Sequence, residues 1–80
     1  MNTTTNRPIH QIADEILGDW QNVHFAAKPY LQAMHFLETT GEFYGSDSAK
    51  TIILYFLGNA TTWRGETAKR IKKELKELIK

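Results

Sequence analysis

Apolar residues recur along this chain at helical spacing, and they mark out four stretches. Ile9, Ile12, Ala13, Ile16, Leu17 and Trp20 stand at i, i+3, i+4, i+7, i+8 and i+11, one face of an α-helix. Pro8 suits the first turn of that helix, where its missing N–H costs nothing, with Asn6 or Arg7 before it at the cap. The spacing predicts a helix over 8–20, whose last turn Gly18 weakens by about 1 kcal/mol relative to alanine. Residues 22–28 read as a connection. Pro29 then marks a second start, Tyr30, Leu31, Ala33, Met34 and Leu37 carry the apolar face, and Gly41 is the stop, giving a helix over 29–39.

The stretch 39–46 contains Gly41 and Gly45 and reads as a loop anchored by Phe43 and Tyr44. Ser46 or Asp47 is placed to cap a third helix over 47–59, whose face is Ala49, Ile52, Ile53, Phe56, Leu57 and Ala60. Residues 51–57 alone would also suit a buried strand; the i, i+3, i+4 spacing and the flanking Lys50 and Asn59 favour helix. Thr61 or Thr62 serves as N-cap of a fourth helix over 62–79, with Glu66 near its start and lysines after it, as the helix dipole favours. Glu66 with Arg70 and Lys73 with Glu77 make i,i+4 pairs on it. The expected fold class is all-α: a small bundle of four helices forming one domain over 8–80, behind a flexible N-terminal tail over 1–7.

Composition narrows the function. Eighty residues, 41% hydrophobic and 24% charged, suit one globular domain of modest stability. Cysteine is absent, which removes disulfides, thiolate nucleophiles and cysteine-bound zinc and fits a reducing cytoplasm. The longest apolar run, Ile52 to Leu57, falls far short of the roughly 20 residues of a membrane helix, and no signal-peptide pattern opens the chain. The net charge of +1 argues against strong global attraction to nucleic acid or anionic membrane. The charge is uneven, however: residues 1–40 hold two basic and four acidic side chains, residues 41–80 eight and five.

On the fourth helix Ala68, Ile71, Leu75, Leu78 and Ile79 share one sector, and Lys69, Lys72, Lys73, Lys76 and Lys80 share the adjoining flank. Such a stripe is either an ordinary solvated face or a site for nucleic acid or another anionic partner. No aromatic residue stands among the lysines, so base stacking has little support. Trp63 and Arg64 precede this helix. Either Trp63 staples the chain into the core while Arg64 pairs with a carboxylate such as Glu66, or the two recognise a partner, as residue types enriched in hot spots.

The histidines make no metal centre: His10 with Asp14 and His35 with Glu38 give two ligands each, where zinc needs three or four. Ser46 and Ser48 read as capping residues, and the chain holds no phosphate loop, nucleophile elbow or H-E-x-x-H, so neither an enzyme nor a cofactor is expected. The aromatic residues are too many for so small a core. Phe36 and Tyr55 fall off the main faces of their helices, where they either close a second side of the core or form an exposed patch for a partner or a second subunit.

The segments 28–34, 47–57 and 62–66, together with Ile12 to Ile16 and Asp19-Trp20, resemble short uncharacterised helical proteins of phages and prophages of Gram-positive bacteria and actinobacteria. The resemblance spans about residues 8–80. It implies a mobile-element protein made in a bacterial cytoplasm, an accessory factor acting by binding, and it transfers no functional residue. The expected function is a non-catalytic binding protein, monomer or weak homodimer, whose partner is another protein met through Trp63 and Arg64. The alternative is a weak nucleic-acid-binding module using the five lysines.

Overall fold

A computed structural model describes residues 7–80. Its elements are α1 (Ile9–Asp19), α2 (Lys28–Met34), a two-stranded ladder of β1 (Phe43–Tyr44) and β2 (Asp47–Ser48), α3 (Ala49–Gly58) and α4 (Glu66–Leu78). The fold is therefore mostly helical, with four helices among the described residues, but it is not purely α. The tail expected over 1–7 lies outside the described residues except for Arg7, whose guanidinium is held by Glu15 and Glu74. Asn6 as a cap lies outside them as well.

The periodicity of α1 is realised closely. Ile9, Ile12, Ala13 and Ile16 are buried, and Pro8 stands at the N-cap with φ −57°. No side chain caps this helix. Its first amides are instead satisfied from far along the chain: Ile9 N–H donates to the Glu38 carbonyl at 3.0 Å and His10 N–H to the Leu37 carbonyl at 2.8 Å. Leu17, expected on the buried face, is 54% exposed. It stands beside Val23 and Leu31 at the rim of a groove.

The second helix ends at Met34, five residues before the expected 39. His35, Phe36 and Leu37 continue in tighter turns, their N–H groups donating to Gln32, Ala33 and Met34. This turn carries Leu37 into the core, 1% exposed, and aims the Leu37 and Glu38 carbonyls at α1. A continued α-helix would use those carbonyls internally.

The expected loop over 39–46 contains a hairpin. Phe43 pairs with Ser48 and Tyr44 with Asp47, antiparallel, around Gly45-Ser46, with Gly45 in the left-handed region at φ 65°. Phe43 and Tyr44 are exposed and anchor nothing in the core. Ser48, and neither Ser46 nor Asp47, caps α3; its Oγ accepts the Thr51 N–H at 3.2 Å.

The fourth helix begins at Glu66, four residues after the expected start. The reason is Trp63. Helical geometry from residue 62 would place Trp63 about 80–140° around from Ala68, Ile71 and Leu75, the buried residues of α4. The chain instead turns at Ala60 to Trp63, inserts the indole and restarts at Gly65, whose φ of 114° favours glycine. The core runs through all four helices. At one end of it Trp63 lies parallel to Trp20 at 5.7 Å, and Phe56 stands edge-on to both rings.

Candidate functional site

Trp63 is 2% exposed, and its Nε1–H donates to Asp19 Oδ2 at 2.8 Å. The ring expected to meet a partner is thus a core residue joining α1, α3 and the start of α4, with no face to present. Arg64 beside it is exposed. Among the described residues it makes no ion pair, so the expected contact with Glu66 is not formed.

The flanks of α4 differ in their electrostatics. On one, Glu74 accepts two hydrogen bonds from Arg7, at 3.0 and 2.9 Å, and Glu15 pairs with both Arg7 and Arg70. The four alternating charges tie α4 to α1 and the start of the chain. Arg70 holds the Glu15 carboxyl below its ordinary value, with Arg7 adding to the effect against some desolvation. Arg70 is therefore taken by Glu15 and not by Glu66, the i,i+4 partner expected from sequence.

On the other flank stand Lys69, Lys72, Lys73, Lys76 and Lys80. Among the described residues the first four make no ion pair. Lys80 Nζ lies 3.5 Å from Glu77, replacing the expected pairing of Glu77 with Lys73. Lys72 is half-buried. Its Nζ sits 5.8 Å from the centre of the Trp63 ring and donates to the Trp63 carbonyl at 2.6 Å. Burial, then the neighbouring charges of Lys76 and Arg64, push the Lys72 ammonium below its ordinary value. Lys72 thus stands in a positive potential to which Arg64 contributes, so the two sequence candidates merge there into one basic surface. Beside it Trp63, Arg64, Gly65, Ala68, Lys69 and Lys72 line a shallow depression.

A second surface lies on the other half of the molecule. Phe25, Phe36, Phe43, Tyr44, Leu54 and Tyr55 are all large and exposed, and they stand on the segments flanking α2, on the hairpin and on α3. Phe36 and Tyr55, placed off the main helical faces by their spacing, are 73% and 50% exposed. Phe36 meets Tyr44 with ring centres 5.7 Å apart, and Tyr55 meets the half-buried Tyr30 at 5.5 Å. The exposure of Phe43 and Tyr44 was not visible in the sequence; the Gly45-Ser46 dipeptide, a short-hairpin signal, was the clue.

The histidines stay apart. His35 Nδ1 lies 3.2 Å from Asp14, a partner one helix away, instead of joining Glu38. Asp14 is thereby paired with His35, and His10 is exposed. No family model matches the chain, and no curated protein or solved structure matches it either.

Proposed function

We propose that this chain is a small helical binding protein that acts through protein–protein interaction and performs no catalysis itself. The observation that supports this reading is the concentration of exposed aromatic side chains on the α2–hairpin–α3 half, among them Phe36 and Tyr44 in ring contact with each other. Exposed aromatic area of this kind is retained at a cost in hydration and is characteristic of recognition surfaces. Phe36 and Tyr44 take the part that Trp63 was expected to play, because they offer rings to a partner without opening the core. Following the resemblance to phage and prophage proteins, the proposal places the chain in the cytoplasm of a bacterial host as an accessory factor, monomeric or weakly dimeric when free.

The test is cross-linking of the tagged chain in a bacterial host, set against the double variant Phe36→Ser/Tyr44→Ser. Both side chains are exposed, so the variant keeps the circular dichroism spectrum and melting temperature of the parent. An adduct formed by the parent and lost in the variant supports the reading; one at twice the chain mass makes the partner a second copy. Identical adducts from both proteins, or none from either, would refute it.

A further inference from the structure

The lysine flank of α4 repeats at i, i+3, i+4, i+7 and i+11, so at 1.5 Å per residue its five cations form a row about 16 Å long. Arg64 adds a sixth charge near the start of the helix. Glu66 and Glu77 border the row, and only Lys80 is paired, with Glu77. The opposite flank is neutralised by the Arg7, Glu15, Arg70 and Glu74 cluster. A near-neutral chain thus concentrates positive charge along one flank of α4.

We propose that this row docks on the phosphate backbone of duplex nucleic acid. The surface is separate from the aromatic half, and the assignment does not rest on the protein-binding reading. The surroundings of the lysines select the occupant. Stable membrane attachment by a helix uses apolar side chains that enter the lipid beside the cations, and Ala68, Ile71 and Leu75 of α4 are sealed in the core while Leu78 and Ile79 pack half-buried against it. Single strands are held by rings that stack on bases; the row has none, and the nearest, Trp63, is buried beneath Lys72. Protein interfaces form around a desolvated apolar centre, which a file of ammonium groups does not supply. A band of unforked point charges along one flank of a helix suits regularly spaced phosphates, whose contacts position a protein without reading sequence.

The experiment is fluorescence anisotropy of the whole chain with a labelled duplex, alongside phosphatidylglycerol vesicles and poly-glutamate. For three to four phosphates neutralised, affinity should fall about 40- to 150-fold between about 50 and 200 mM salt. Lys69→Gln/Lys73→Gln/Lys76→Gln changes three exposed residues; it should keep the fold, weaken duplex binding more than about tenfold at the lower salt and flatten the salt dependence. Lys28→Gln/Lys50→Gln, of equal charge type on the aromatic half, should bind within about twofold of the parent. Absence of binding at the lower salt overturns the proposal, as does a triple variant that binds like the parent. Tighter binding to vesicles or to poly-glutamate than to the duplex also overturns it.

Discussion

Replacing Trp63 is the most direct probe of how the molecule is assembled. The indole is 2% exposed, touches Trp20 and Phe56, and donates to Asp19 from the end of α1. Truncation to alanine removes that burial and leaves a void between three elements, a change that costs about 3–5 kcal/mol. A chain of this length has about 4–12 kcal/mol of stability in all, so Trp63→Ala should lose a quarter or more of it. With a guanidinium slope of about 2–4 kcal/mol per molar, the unfolding midpoint should drop by about 0.75–2.5 M. Far-ultraviolet circular dichroism follows the transition. The hydrogen bond is separable from the packing: Trp63→Phe keeps an aromatic body but no donor. Asp19→Ala should therefore cost about 1 kcal/mol in the parent and close to nothing in the Trp63→Phe background. A midpoint for Trp63→Ala within about 0.3 M of the parent would mean that the indole is not a core element, and the account given for the late start of α4 would fall with it.

Two further outcomes follow from the backbone and the charges. Gly65→Ala forces a side chain into φ 114° and should destabilise by about 1–2 kcal/mol, while Gly18→Ala, inside α1 with open space around its Cβ, should stabilise by about 0.5–1 kcal/mol; chemical denaturation of the pair reads both signs. The Glu15 carboxyl, held below its ordinary value by Arg70 and Arg7, contributes stability that is present above the pH at which an unfolded glutamate titrates and is lost as pH falls through its lowered folded value. Melting temperature should therefore decline on acidification more steeply in the parent than in Glu15→Gln, and equal slopes would show that the pairings contribute nothing.

What the sequence revealed and what it hid divide along physical lines. Local periodicity located α1 and α3 to within two residues at each end, because their buried faces follow one axis throughout. It also identified Phe36 and Tyr55 as off-face residues. It overran α2 because Leu37 keeps the apolar rhythm while the backbone leaves the helix to serve α1. It overran the start of α4 because Trp63, although buried, reaches the core only if the helix has not yet begun. The ion pairs were misassigned for a related reason. Within α4 alone Arg70 has Glu66 as its natural partner, and only the side-by-side placement of α1 and α4 brings Glu15 to it. The lysine flank was legible in full, since all its members lie on one helix. That four of its lysines stay out of ion pairs among the described residues, which gives it meaning, depends on the tertiary fold.

The start of α1 has a consequence for the order in which the chain can become native. Its first two amides are capped by carbonyls 29 and 27 residues onward, so the helix nearest the N-terminus cannot complete its own first turn. Nascent α1 emerging during synthesis must wait for residues 37–38 before those amides are sheltered, and a fragment ending before them would fray from its leading end. The same linkage merges two distant stretches into one cooperative unit. Loosening the turn after Met34 uncaps α1, and melting the first turn of α1 strands the Leu37 and Glu38 carbonyls, so exchange of the Ile9 and His10 amides with solvent reports an event at the opposite end of α2.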